Sequence, residues 1–126
     1  MARIAVYGAG IFGLSVAWAL LRRGARVEVI DPNGPASGAS GGIVGALAPH
    51  VPENWNEKKA FQFDSLDMAE SFWAEVAGIS GQDPGYARSG RVQPLREAER
   101  RLAQARADNA KSLWQGRYSW EIGAPG

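Results

Sequence analysis

Ile4-Ala5-Val6-Tyr7-Gly8-Ala9-Gly10-Ile11-Phe12-Gly13-Leu14 decides how this chain reads. Ile4 to Tyr7 is a short apolar run that ends at glycine, the pattern of a fully buried strand. Ile11 to Arg23 follows with helical spacing, Leu14, Ala17, Leu20 and Leu21 falling on one side. Gly24 stands where a helix end with positive φ is expected, after two basic residues that suit the negative end of the helix dipole. Val27 to Ile30 reads as a second strand, closed by Asp31-Pro32. Strand, helix and strand within about 30 residues make a βαβ unit, with parallel strands joined by a right-handed crossover.

The glycines between the first strand and the helix carry chemistry. Gly8 permits a tight turn, Gly10 lets a pyrophosphate approach bare backbone, and Gly13 lets the helix pack close to the strand. The helix start then offers free N–H groups and the positive end of its dipole. Asp31, 17 intervening residues beyond Gly13, has the spacing of an acid that accepts hydrogen bonds from a ribose. An acid there disfavours a 2′-phosphate, and no Lys-Ser/Thr pair follows the glycines, which excludes a Walker A loop. Two plainer alternatives stand beside this: a βαβ unit that binds nothing, and an Asp31 that only shapes the turn before Pro32.

Composition narrows the classes. Nine of the 16 glycines lie between Gly8 and Gly45, and none lies from Ala46 to Ala77. A hydrophobic content of 45% with a net charge of +1 argues against disorder. There is no cysteine, hence no disulfide, thiolate metal site or cysteine nucleophile. Charge is segregated, +2 over residues 1–50, −5 over 51–87 and +4 over 88–126, which fits oppositely charged solvated helix faces. Arg96 to Lys111 has no interleaved aromatics, so no nucleic-acid partner is expected. Ile4 to Leu21 is 18 residues without a charge and imitates a membrane span or a signal peptide. Its three spaced glycines, and the soluble pattern that continues it, argue for neither, and a cytoplasmic location is expected.

Pro32 to Gly45 has the Gly, Ser, Ala and Pro content of a linker. A long helix is expected over Glu57–Ala77, with Asn56 as N-cap, Gly78 beyond its end, and Phe61, Leu66, Ala69, Phe72, Trp73 and Val76 on its buried face. Gly90 to Leu95 reads as a short edge strand. Arg96–Trp114 reads as a second long helix with Leu95, Ala98, Leu102, Ala105 and Leu113 near one face, and Tyr118 to Ile122 as another strand.

Ala36 to Leu47 separates the two cofactors that a GxGxxG unit serves. A loop of small residues after a ribose-binding acid can run along an extended dinucleotide. Ser37 and Ser40 can donate hydroxyls to phosphate or ribityl oxygens, and the glycines let backbone lie against a flat ring. With Gly8-x-Gly10-x-x-Gly13, Asp31, the Ser37-Gly38-Ala39-Ser40-Gly41-Gly42 loop and Gly45-Ala46-Leu47, the chain resembles the FAD-dependent amine and amino-acid oxidases. That family includes D-amino-acid oxidase, glycine oxidase, sarcosine oxidase and the oxidase half of a bifunctional tRNA-modification enzyme. The resemblance continues more weakly through Phe72-Trp73, Ser89-Gly90-Arg91-Val92 and the helix from Arg96.

The resemblance implies an α/β fold: a Rossmann-type FAD-binding portion over residues 1–78, leading into the start of an α+β substrate domain over 79–126. It implies FAD lying extended, the adenosine ribose near Asp31, the pyrophosphate near Gly10 to Gly13 and the flavin near residues 41–46. The cofactor-binding set is then Gly8, Gly10, Ile11, Phe12, Gly13, Asp31, Pro32, Ser37, Ala39, Ser40, Gly41, Gly42 and Ile43. The reaction it implies is hydride transfer to flavin from the carbon beside the nitrogen of a small amine or amino acid, giving an imine that hydrolyses.

Some relatives tether the flavin through a histidine where this chain has Gly41-Gly42-Ile43, so non-covalent FAD is expected. His50, the only histidine, and Lys58 and Lys59 read as structural or solvated. No metal site is evident. The family's catalytic groups and second nucleotide segment come from later sequence, so the chain is expected to be the front of a longer enzyme, inactive and weak in FAD binding alone. The unpartnered faces of its two long helices would favour association between copies. An NAD-dependent dehydrogenase domain explains Gly8 to Asp31 but not residues 36–47, and a non-catalytic nucleotide-binding module is the third reading.

Overall fold

Arg3–Tyr7 forms strand β1, Ile11–Leu21 helix α1 and Arg26–Ile30 strand β2. The strands pair in parallel, Arg3 beside Arg26 through Tyr7 beside Ile30. The 18-residue uncharged run is therefore divided between strand, turn and helix, and no helix is long and apolar enough to cross a membrane among the described residues. This is a computed structural model that describes residues 2–43 and 45–123. It divides into two compact units, Met1–Ala46 and Leu47–Gly126.

In the first unit Ala9 and Ala17 are buried, small residues where backbone elements come close. β1 is not buried on both faces as its apolar run predicts: Ile4 and Val6 are half-buried, whereas Ala5 and Tyr7 on the other face are exposed. A two-stranded sheet with one helix over it covers one face only. α1 stops at Leu21 rather than Arg23, because the Arg23 and Gly24 N–H groups close i→i+3 bonds to Leu20 and Leu21 at 3.0 and 2.9 Å. Gly24 takes the expected positive φ, +80°.

In the second unit helix α2 spans Glu57–Ser80 and helix α3 spans Arg100–Leu113. Asn56 caps α2 as expected, its Oδ1 accepting the Lys59 N–H at 3.1 Å. The far end differs: the helix runs through Gly78 and stops at Gly81, which adopts φ +67°. Gly78 has no positive φ, so only Gly81 does the terminating work. α3 is preceded by one 3₁₀ turn, Glu97–Glu99, where the Glu99 carboxylate accepts the Arg96 N–H at 3.2 Å.

The buried face of α2 follows the periodic reading at Leu66, Ala69, Phe72, Trp73 and Val76, which are buried or half-buried, and departs from it at Phe61, while that of α3 departs more widely. Phe63 and Ala69 are buried on α2, while Phe61 is 78% exposed. On α3 the buried residues are Ala103 and Ala110, and Leu102 is exposed. Phe63 meets Ala110 and Trp114, surrounded by Trp55, Leu113, Tyr118 and Trp120. Phe63 stands edge-on to Trp55 and Tyr118 at 6.2 and 5.8 Å between centroids. Arg106 forks onto the Glu53 carboxylate at 2.8 and 3.0 Å, which lowers the carboxyl pKa of Glu53 and raises that of Arg106. The expected strands Gly90–Leu95 and Tyr118–Ile122 do not form. Among the described residues neither stretch has a strand beside it to take its ladder hydrogen bonds, and Tyr118 and Trp120 pack as side chains against the helices instead.

Candidate nucleotide site

β1 ends at Tyr7 and the chain turns at Gly8, with φ +99°, a conformation that residues with a Cβ rarely adopt. Its N–H still extends the sheet, donating to the Ile30 carbonyl at 2.8 Å. Gly13 then brings α1 down on the turn. A Cβ at Gly13 would stand 1.9 Å from the Gly8 carbonyl oxygen, and backbone cannot swing aside as a long side chain does. Gly10 is the N-cap residue of α1, and its bare side faces the Ser40 hydroxyl, 3.1 Å from where a Cβ would be.

The start of α1 is open to an anion. Gly10 has no side chain with which to cap it, and the Ile11 N–H donates instead to Ser40 Oγ at 2.9 Å. The Leu14 N–H donates to the Gly10 carbonyl at 2.9 Å. Between them, the N–H groups of Phe12 and Gly13 have no acceptor among the described residues. Orphan donors at the positive end of a helix dipole are what a phosphate takes up.

Asp31 follows β2 and is bound to the same turn. Its Oδ2 accepts the Ala9 N–H and its Oδ1 the Asn33 N–H, each at 2.9 Å. These bonds, the Ala9 one first, hold its carboxyl below the ordinary value of 3.8, against a smaller opposing effect of burial. An ionised carboxylate has about four lone-pair sites, so Asp31 keeps acceptor capacity beyond these backbone partners.

The second glycine cluster is tied to the first. The Ala36 N–H donates to the Ala9 carbonyl at 2.9 Å. Ala39, Ser40 and Gly41 form a single 3₁₀ turn, closed by the Gly41 N–H on the Gly38 carbonyl at 3.0 Å. A Cβ at Gly41 would lie 2.2 Å from the Ala36 carbonyl oxygen, so this turn also requires glycine.

Of the residues expected at the site, Gly8, Gly10, Ile11, Gly13, Asp31, Ser40 and Gly41 are thus joined in one network, with the Phe12 N–H beside it. Pro32, Ser37, Ala39, Gly42 and Ile43 are exposed and hydrogen-bond to none of these residues. Val44, next along the loop, lies outside the described residues. His50 belongs to the second unit, where its backbone N–H donates to Gln62 Oε1 at 3.0 Å. Lys59 Nζ donates to the Glu53 carbonyl. Among the described residues no group of three or more His, Cys, Asp or Glu side chains could hold a metal ion.

Sequence reading missed Ala9, Asn33 and Ala36. Ala9 is the joint of the site, 3% exposed, its N–H on Asp31 and its carbonyl holding Ala36. A small residue between two motif glycines was the available signal. Ala36 adopts φ +56° without being glycine, and nothing in its identity announces that.

The network fits an adenine dinucleotide: two open backbone donors for the pyrophosphate and an ionised acid for a ribose. The family described as FAD dependent oxidoreductase, DAO, matches residues 3–124. Among curated proteins, the tRNA 5-methylaminomethyl-2-thiouridine biosynthesis bifunctional protein MnmC of Acinetobacter baylyi is 53% identical over 47 residues, 37% of this chain and 8% of that protein. The protein of the same name from Psychrobacter is 51% identical over 49 residues, 39% of this chain and 7% of the relative. That from Hydrogenovibrio crunogenus is 32% identical over 84 residues, 64% of this chain and 12% of the relative. The matched stretch is thus 12% or less of the length of these relatives. No solved structure matches the chain. With the family matched over nearly all of its length, the chain belongs to the DAO family of FAD-dependent oxidoreductases.

Proposed function

We propose that this chain is part of an enzyme that oxidises the carbon next to an amine or amino-acid nitrogen by hydride transfer to FAD. Residues 1–78 would belong to its FAD-binding portion and 79–126 to the start of a substrate domain. The observation that carries this reading is the Asp31–Ala9 hydrogen bond, which joins a ribose acceptor to a turn with two open phosphate donors. In this arrangement the Phe12 and Gly13 N–H groups hold the pyrophosphate, Asp31 the adenosine ribose, and the Ser37 and Ser40 hydroxyls the next part of the cofactor. With no histidine at residues 41–43, the cofactor is held non-covalently. Bound FAD supplies the hydride acceptor. The residues of this chain bind and orient it. The family description favours FAD over the alternative of NAD, and oxidoreductase chemistry over a non-catalytic nucleotide-binding module.

The substrate has two readings. A small amine or amino acid is the one the sequence favours. The printed name of the relatives adds a second, an amine carried on tRNA, since the nucleoside it names bears a methylaminomethyl group. A substrate of that kind would place the reaction in the cytoplasm. The test is the visible spectrum of the protein as its gene encodes it, purified and then mixed anaerobically with amines. Bleaching of a flavin band by a free amino acid supports the first substrate, and bleaching only by a tRNA-borne amine supports the second. A flavin band that no amine bleaches counts against amine oxidation.

A further inference from the structure

Ser40 stands in an unusual relation to α1. It lies 29 residues beyond Ile11, yet its Oγ accepts the Ile11 N–H at 2.9 Å, the first helical donor after the N-cap residue, and not the second or third donor that an N-cap side chain would take. Gly10, the N-cap residue by position, has no side chain to give, and the empty space beside it is where the Ser40 hydroxyl sits. The turn that presents Ser40 is itself held in place. Ala36 is bound to the Ala9 carbonyl, the Gly41 N–H closes on Gly38, and Gly41 packs against the Ala36 carbonyl so closely that no Cβ fits. Because the Ser40 oxygen accepts from Ile11, its own hydrogen remains free to donate.

We propose that Ser40 is a positioning residue: it caps α1 from across the loop and so presets the phosphate turn before any nucleotide arrives. The capping bond satisfies the first orphan donor of the helix and leaves the next two, on Phe12 and Gly13, for the anion. It also favours glycine at position 10 for the loop as well as for the ligand, since a Cβ there would press on the Ser40 oxygen. The proposal rests on the cofactor reading only for what the preset turn is for. The cap itself is a property of the chain without nucleotide.

The test is amide hydrogen exchange at Ile11 in the full chain without nucleotide, with the strand amides of Val6 and Glu28, which the parallel register turns toward the neighbouring strand, as the internal control for folding. In Ser40→Ala the Ile11 amide is expected to exchange about three- to tenfold faster while the strand amides stay protected. Ser40→Thr, which keeps a capping hydroxyl, is expected to restore most of that protection. Binding of ADP, the probe for the phosphate turn, should weaken severalfold in Ser40→Ala and recover in Ser40→Thr. Unchanged Ile11 exchange in Ser40→Ala overturns the proposal, as does a Ser40→Thr protein no better protected than Ser40→Ala. Loss of Ile11 protection with unaltered ADP affinity overturns the presetting role. If even the parent chain ignores ADP, the nucleotide reading fails, and Ile11 exchange still decides whether the cap exists.

Discussion

Asp31 holds the backbone N–H of Ala9 at 2.9 Å, across 22 residues of sequence, and so fastens the exit of β2 to the turn that leaves β1. The sheet brings these ends side by side, since Tyr7 and Ile30 are register partners and each strand stops there. One carboxylate therefore shapes the glycine turn and, in the function proposed above, also accepts the ribose hydroxyls. Asp31→Ala removes both actions. ADP and FAD affinity should fall about ten- to a hundredfold, the worth of a hydrogen bond to a charged group. Asp31→Asn, which keeps one acceptor oxygen, should fall less. Calorimetric titration with ADP checks the order.

The same bond sets a pH dependence. The Asp31 carboxyl pKa is lowered in the folded chain, so its contribution is complete above the ordinary carboxylate value and is lost as pH falls through the folded one. Glu53, lowered by Arg106, acts in the same direction within the second unit. Stability should thus be level near neutrality and decline below about pH 4. Urea unfolding across that range would show it, and Asp31→Asn and Glu53→Gln should each make the decline shallower.

Gly13→Ala would force a methyl group into the Gly8 carbonyl, 1.9 Å from the Cβ position. α1 must then lift off the turn, at the cost of overpacking, about 1–3 kcal/mol. ADP affinity should fall further than the stability loss alone explains, because the Phe12 and Gly13 donors move with the helix. Comparing ADP titration with urea unfolding of the same variant separates the two effects.

The aromatic core of the second unit predicts a large truncation effect. Phe63 is 4% exposed and packs on Trp55, Trp114 and Tyr118. Phe63→Ala should cost about 3 kcal/mol. Phe61→Ala, at a position 78% exposed, should cost little. Tryptophan fluorescence during urea unfolding follows both, since Trp55 and Trp114 border the site.

What could be read from the sequence follows from which physics is local. Gly8, Gly10, Gly13 and Asp31 were legible because their spacing encodes a backbone turn between a strand and a helix that each declare themselves over a few residues. Asn56 was legible for the same reason. Periodicity places Leu66, Ala69, Phe72, Trp73 and Val76 on the covered face of α2, but not Phe63 in place of Phe61 near its start, because that burial is made by Trp114 and Tyr118, some 50 residues away. Gly78 and Gly81 carry the same identity, and only the conformation reached at 81 ends the helix. Gly90–Leu95 and Tyr118–Ile122 have strand-like composition, but a strand needs a neighbour and composition does not supply one. The Ser40–Ile11 and Ala36–Ala9 bonds were invisible because they join residues whose types announce neither a cap nor a positive φ.

The central claim is that residues 8–41 form a cradle for the ADP half of FAD. Its most direct test is an equilibrium titration of FAD into the protein as its gene encodes it, followed by flavin fluorescence, with ADP and FMN as competitors. The account predicts saturable one-to-one binding that ADP displaces, that FMN displaces poorly, and that Gly13→Ala abolishes. Displacement by FMN as readily as by ADP, or undiminished binding by Gly13→Ala, would contradict it.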